Sequence, residues 1–376
     1  DLIPPGKKSG TTRVRAGKIF QEIVRAAWET GDPGLLFIDH INRSNPTPHK
    51  GAIEATNPCG EIPLLGYESC TLGSVNLSNM LAQDGRSIDG EKLLSTVDRS
   101  VRFLDNVITM NQHPIREAET ATLGNRKIGL GIMGFSEMLI RMGISYDSDA
   151  AEKMGARIMS LINAQAFLTS HRLADERGDY PNWQGSVHAR KGIHIRNAAR
   201  TAIAPTGTIG IIADTTPGIE PLFALAYRRN HVLEGRNLVE VNPLLDEFAR
   251  RHHLDADHII EQVLEKGNLE KVEDLPGKMK QVFKTALEIP VERHLLIQAA
   301  FQRHVDNSVS KTINMPEAAA PADVEKAYRM AWELGLKGIT IYRYGSRSNQ
   351  VLQLGTEEHS YQYDHGSKCD PEECRL

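Results

Sequence analysis

The sequence predicts an α/β protein whose strands pair in parallel. The apolar runs Lys127 to Leu130, Thr201 to Ala204 and Ile339 to Tyr342 read as buried strands. A further run, Val305 to Ile313, alternates Val309, Lys311 and Ile313 with Ser308, Ser310 and Thr312. Helical stretches lie between these runs, and strands separated by helices pair in parallel with the helices laid against the sheet.

The elements follow in chain order. Residues 1–16 are polar and rich in glycine and proline, and read as a linker or frayed start. Ile19, Phe20, Ile23, Val24, Ala27 and Trp28 then recur at helical spacing. Leu35-Leu36-Phe37-Ile38 reads as a short buried strand. Residues 42–75 are rich in Pro, Gly and Asn and hold Cys59 and Cys70. A loop of that length is usually functional. Helical periodicity returns at Leu93, Val97, Val101, Leu104 and Val107, and again over 147–177, closed by Gly178. From Ser346 the composition turns polar, so 346–376 reads as a mobile tail carrying Cys369 and Cys374.

Composition narrows the functional class. A length of 376 residues matches two or three average domains or one large barrel. Lys plus Arg number 44 against 48 Asp plus Glu, a net charge of −4, which excludes a polybasic nucleic-acid wrapper. No apolar run is long enough to span a bilayer, and the start carries no apolar signal core. With no initiator Met at its start, the chain is expected to be a piece of something longer. Only 4 cysteines in this length make no disulfide framework, so a reducing cytoplasm is expected.

Four motifs carry candidate chemistry. Gly129-Leu130-Gly131-Ile132-Met133-Gly134 matches G-x-G-x-x-G between an apolar strand and a helix, with Asp147 and Asp149 downstream. Such glycines also serve close packing alone, and no second strand ends in the acid. Ala204-Pro205-Thr206-Gly207-Thr208-Ile209-Gly210 takes a strand into a small-residue turn. This is either an anion cradle or a tight turn with an N-cap threonine. Asn57-Pro58-Cys59-Gly60-Glu61, followed by Glu68-Ser69-Cys70, places an amide, a thiol and a carboxylate in a Pro/Gly-framed loop. Pro58 and Gly60 disfavour a core position for Cys59, so chemistry is favoured over packing. No C-x-x-C or His pair of metal spacing accompanies these thiols, and no protein-ligated metal is expected. Cys369 and Cys374, on the polar tail, are a dithiol able to form and break a disulfide, idle thiols, or half of a zinc site. Arg251-His252-His253 and His258 read as surface residues.

On these residues the chain resembles the catalytic part of ribonucleotide reductase, in its class II, adenosylcobalamin-dependent branch. The resemblance runs on through Gly66 to Leu77, Pro217-Gly218-Ile219-Glu220-Pro221, Val305 to Asn314 and Lys337 to Arg343. It implies part of a ten-stranded α/β barrel with a central finger loop, spanning 17–345 with the finger at about 55–76, and a redox-active tail. It implies that Cys59, at the finger tip, becomes the thiyl radical that takes hydrogen from the ribose C3′. Glu61 is then the base for the 3′-hydroxyl, Asn57 binds the ribose hydroxyls, and Cys70 is one of the two reducing thiols. Pro205, Thr206, Gly207, Thr208 and Ile209 hold the substrate phosphates, and Cys369 and Cys374 shuttle electrons from thioredoxin or glutaredoxin. The glycine motif becomes a barrel strand and its helix, not a dinucleotide site.

The resemblance places the partner of Cys70 in the family's first half-barrel, and no cysteine precedes Cys59 here, so the chain is expected to be either one chain of a split enzyme or a fragment. A complementary chain is therefore expected, in an oligomer that acts on a ribonucleotide in the cytoplasm, with no nucleic acid and no membrane. Arg343 after Tyr342 breaks the tyrosine pair through which the iron-dependent class I relays its radical. A class I fragment needing a radical-generating subunit, and a nucleotide-binding paralogue without turnover, are the alternatives.

Overall fold

The computed structural model describes residues 13–232 and 236–346. Helix α1 (Ala16–Thr30) buries Val24 and Ala27 and stops at Gly31, whose left-handed φ of 80° a β-carbon would oppose. Strand β1 is only Leu35–Leu36. It pairs antiparallel with the last strand and leaves Leu36 exposed. The expected buried strand there is thus wrong in length and burial, because helix α2 (Ile38–Arg43) begins at once. The long loop folds into a hairpin of β2 (Ala55–Thr56) and β3 (Pro63–Leu64) and then runs into β4 (Thr71–Asn76).

Helix α3 (Gly90–Met110) opens on Asp89, which accepts from the Lys92 N–H, and buries the expected Leu93, Val97, Val101 and Leu104. Helix α4 (Arg116–Asn125) leads into β5 (Ile128–Met133), buried along its whole length. Helix α5 (Phe135–Met142) and the long α6 (Asp149–Arg177), capped by Ser148, follow. A short α7 (Val187–Arg190) precedes α8 (Gly207–Ile212). The hairpin β6 (Ala226–Val232) and β7 (Arg236–Val241) begins a satellite unit with α9 (Pro243–Arg251), α10 (Ala256–Lys266) and α11 (Gly277–Val282). This unit has its own core around Leu245, Phe248, Val263 and Phe283. The chain ends in α12 (Val291–Gln302), β8 (Thr312–Met315), α13 (Pro321–Glu333) and β9 (Gly338–Arg343).

The parallel pairings form one series. β4 pairs with β5, Leu130 of β5 bridges Thr201, Ile203 bridges Val309, and β8 pairs with β9. These are consecutive staves of one half-barrel. Two staves differ from expectation. Thr201 to Ala204 forms single bridges rather than a ladder, because Pro205 ends the run. The Val305 to Ile313 strand starts later and reaches Met315, since the backbone at Asn307 and Ser308 is spent on Thr201 and on Glu61. Helices α3, α5, α6 and α12 cover one side with a core that includes Val97, Leu104, Phe135, Ile158, Ile162 and Phe301. Helices α1 and α13 pack against β8 and β9 around Ile313, Tyr328 and Ile341.

A buried charge cluster ties these layers together. Asp105, on the apolar face of α3, is fully buried. It accepts from Arg126 Nε at 3.0 Å and Nη2 at 2.8 Å, from Asn197 Nδ2 at 3.1 Å and from Arg177 Nη1 at 3.1 Å. One carboxylate thereby joins α3, the start of β5, the end of α6 and the segment before Thr201. Among the described residues, no helix is long and apolar enough to cross a membrane.

Candidate active site

The hairpin β2–β3 exists because Asn57 closes it from both backbone and side chain. The Asn57 N–H donates to the Ile62 carbonyl, and the Ile62 N–H donates to Asn57 Oδ1 at 3.0 Å. Gly60 completes the turn at φ 80°, its N–H on the Asn57 carbonyl. Pro58 and Cys59 are left exposed at the tip, while Ile62 and Pro63 are buried. Asn57 therefore acts as a structural clasp here, a role the sequence alone did not indicate.

The hairpin is fixed at its root. Ser308 N–H donates to the Glu61 carbonyl at 2.9 Å. Glu68 accepts from Lys127 Nζ at 2.8 Å, Asn125 Nδ2 at 2.7 Å and the Leu65 N–H at 2.8 Å, with both charged side chains buried. Sequence reasoning passed over Lys127, although a signal was there. Lys127, Arg200 and Lys337 each stand immediately before a stave, and all three are buried. Arg200 pairs with Asp306 at 2.7 Å, and Lys337 caps the carbonyls of Asp306 and Asn307.

The glycine motif serves this packing. A β-carbon on Gly129 would lie 2.5 Å from Leu72 Cδ2 and 3.1 Å from Ile62 Cδ1, so the bare backbone of β5 makes room for the finger. Asp147 and Asp149 are engaged by Lys284 and Arg293, each at 2.6 Å. The dinucleotide alternative falls on both counts.

Glu61 is 2% exposed, and its Oε2 has no hydrogen-bond partner among the described residues. A buried carboxylate oxygen without a partner is costly, and a ligand hydroxyl would satisfy it. Its charge reaches both thiols. Burial and then Glu61 push the Cys59 thiol above its ordinary value. Burial pushes Cys70 much higher, with Lys127 opposing and Glu68 and Glu61 reinforcing. Both sulfurs are therefore thiols at neutral pH, not thiolates. That suits hydrogen-atom chemistry, which needs an S–H bond, and disfavours a nucleophilic cysteine. Cys59, although exposed, should react with iodoacetamide more slowly at pH 7.5 than a free thiol, with a rate that keeps rising at pH values where a free thiol has levelled off. Glu61→Gln should speed it at neutral pH. Mass spectrometry of the Cys59 peptide measures both, and fast labelling at pH 7.5 would show a thiolate instead.

Beside the tip lies a cavity of about 200 Å³ bounded by Leu35, Leu36, Thr56, Cys59, Gly338 and Ile339. Arg343 is turned away from it, with its guanidinium 4.3 Å from the centre of the Trp28 ring and Nε on the Trp28 carbonyl. The anion-cradle candidate sits elsewhere on the chain's staves. Pro205 follows the third stave and Thr206 adopts φ 53°, the left-handed region. Thr206 is not the side-chain N-cap that the turn reading required. Its hydroxyl accepts from the Gly218 N–H at 2.7 Å instead, and Gly207, Thr208 and Ile209 are exposed at the start of α8. Cys369 and Cys374 lie outside the described residues.

The family model for the ribonucleotide reductase barrel domain matches residues 5–342. The chain belongs to that family. Vitamin B12-dependent ribonucleoside-diphosphate reductases of Thermoplasma acidophilum and Mycobacterium tuberculosis are 49% and 48% identical over 95% and 93% of this chain. It covers 46% and 50% of them, so it spans about half the length of these curated relatives. The class Id ribonucleotide reductase alpha subunit of Actinobacillus ureae superposes with a TM-score of 0.74 at 26% identity, over 88% of this chain and 61% of that one. The fold is thus the ribonucleotide reductase barrel domain, and the parallel staves with the hairpin between them are this chain's share of it.

Proposed function

We propose that this chain is the C-terminal catalytic half of an adenosylcobalamin-dependent ribonucleoside-diphosphate reductase. The observation that carries the reading is the hairpin, which exposes a protonated Cys59 at its tip with the unpartnered carboxylate of Glu61 behind it. The names of its relatives support diphosphates as substrates and vitamin B12 as the cofactor. The cavity of about 200 Å³ beside Cys59 leaves room next to the thiol for the adenosyl part of that cofactor. Adenosylcobalamin supplies, when bound, the carbon radical that takes a hydrogen atom from a thiol.

The chain's own residues then do the following. Cys59, as a thiyl radical, takes the hydrogen atom from the ribose C3′. Glu61 accepts the 3′-hydroxyl proton, which eases departure of the protonated 2′-hydroxyl as water. Cys70 and a second thiol from the first barrel half give two electrons and two protons, one proton to the departing 2′-hydroxyl and one hydrogen to C2′, and become a disulfide. Glu61 returns its proton to the 3′ oxygen and Cys59 returns the hydrogen to C3′. Asn57 holds the hairpin and the ribose hydroxyls, and Pro205 to Ile209 hold the phosphates. Cys369 and Cys374 pass electrons inward from thioredoxin or glutaredoxin. Arg343, stacked on Trp28, has neither the chemistry nor the direction to relay a radical, which favours the cobalamin branch over the class I alternative.

The test is reconstitution. The chain alone should turn over little, and addition of the upstream half-barrel with adenosylcobalamin and dithiothreitol should yield deoxynucleoside diphosphates. The edge of β4, where Leu72 is exposed, gives that half a place to pair. Robust turnover by the chain alone would overturn the need for a second half. Activity only with a metal-loaded radical subunit would overturn the cofactor.

A further inference from the structure

The segment Thr215–Glu220 makes no contact with the finger tip in the chemistry above, yet it is strapped to the fold along its length. Gly134 N–H donates to the Thr216 carbonyl at 2.7 Å, and Tyr146 Oη donates to the Ile219 carbonyl at 2.5 Å. Glu220 is held hardest. Its Oε2 accepts from Lys311 Nζ at 2.6 Å and its Oε1 from the Thr312 N–H at 2.7 Å, with the Lys311 side chain fully buried. Between these straps, the Gly218 N–H reaches out to Thr206 Oγ1.

Thr206 is β-branched and sits at φ 53°, a conformation that costs free energy unless its surroundings impose it. Among the described residues, the Gly218 donor is the hydrogen bond that engages its hydroxyl. Gly218 cannot retreat or be filled. It has φ 47°, and a β-carbon there would lie 3.0 Å from the Ala204 carbonyl oxygen. Glu220, two residues on, ties this segment to Lys311 and Thr312 on the fourth stave.

We infer that Lys311 and Glu220 are positioning residues for phosphate recognition, a brace that holds Thr206 in the left-handed turn so that the following N–H groups face the nucleotide's phosphates. This rests on the assignment of Pro205 to Ile209 to the phosphates. Neither Lys311 nor Glu220 needs to touch the substrate. The pair acts through Gly218, and the bond from Tyr146 to Ile219 keeps the intervening backbone from rotating.

The test measures phosphate discrimination, the ratio of affinities for a ribonucleoside diphosphate and for its parent nucleoside, by calorimetry on the two-half enzyme. The wild type should prefer the diphosphate. If it does not, the assignment of the phosphate loop fails, and this outcome is distinct from failure of the brace. The variant Lys311→Met/Glu220→Leu removes both charges together and leaves no uncompensated ion in the interior. It should melt close to wild type and lose discrimination at least ten-fold, with nucleoside affinity unchanged. Tyr146→Phe removes a single hydroxyl and should lower discrimination about three-fold, on the scale of one lost hydrogen bond. Unchanged discrimination in a folded Lys311→Met/Glu220→Leu enzyme would overturn the brace. Should that variant not fold, unchanged discrimination in Tyr146→Phe would overturn it. A parallel loss for nucleoside and diphosphate would mark a merely structural role and overturn it as well.

Discussion

Cys59→Ser is expected to abolish turnover in the reconstituted enzyme, and with it any release of tritium from substrate labelled at C3′. An alcohol O–H bond is too strong for a carbon radical to break usefully, so no radical reaches the tip. The variant keeps the shape of the hairpin, because the clasp is made by Asn57, Ile62 and Gly60 and not by the sulfur. Cys70→Ser is expected to separate the steps. Tritium release continues because Cys59 is intact, but deoxynucleotide formation stops because no disulfide can form. Cys369→Ser or Cys374→Ser should retain activity with dithiothreitol and lose it with thioredoxin, which is too bulky to enter the barrel. Tritium release by Cys59→Ser would remove the thiol from the initiating role. Equal loss with both reductants in the tail variants would refute the shuttle.

Asp105→Ala is expected to cost about 3–5 kcal/mol of stability, the penalty for stranding a buried charge. The residue left behind is Arg126, 4% exposed, which spends its Nε and Nη2 on this carboxylate. Arg177 and Asn197 lose a bond as well, so α3, α6 and the start of β5 loosen together. In a chain of 376 residues the midpoint of thermal unfolding should fall by roughly 4–6 °C. Thermal melts of the two proteins decide it, and a fall of a degree or two would show that the arginines find water or other acceptors at little cost. Asp105 contacts neither thiol, so whatever folded fraction remains should keep the slow Cys59 alkylation.

The two predictions draw on information of different visibility. The helices were legible wherever apolar spacing was regular, as at Leu93, Val97, Val101 and Leu104, because one buried face imposes a period. Asp105 breaks that period, and a polar residue on an apolar face was the visible sign of the buried cluster. The staves were legible as apolar runs, but their ends were not. Thr201 to Ala204 pairs at single points, and Asn307 and Ser308 give their hydrogen bonds to distant partners, which no local pattern encodes. In the site, Cys59 and Glu61 were legible because a thiol framed by Pro58 and Gly60 has no place in a core. Lys127 and its bond to Glu68 were not, since the two are separated in sequence by a helix and a strand. Thr206 looked like a helix cap in sequence because its neighbours suit one; the Gly218 donor that redirects its hydroxyl comes from another segment.

Gly129 has no functional group, yet on the proposed chemistry it would help to fix the depth of Cys59. A β-carbon there would press on Leu72 at 2.5 Å and on Ala202 and Ile62 at 3.1 Å, so the bare backbone lets the finger's Ile62 lie close against β5. Hydrogen-atom transfer falls off steeply with separation, and a misplacement of about 1 Å can cost on the order of 100-fold in rate. On the proposed chemistry, a methyl group on this strand should therefore slow turnover without meeting substrate or sulfur. Clearance in one strand of the barrel domain would then count as part of the catalyst, alongside the cysteine it admits.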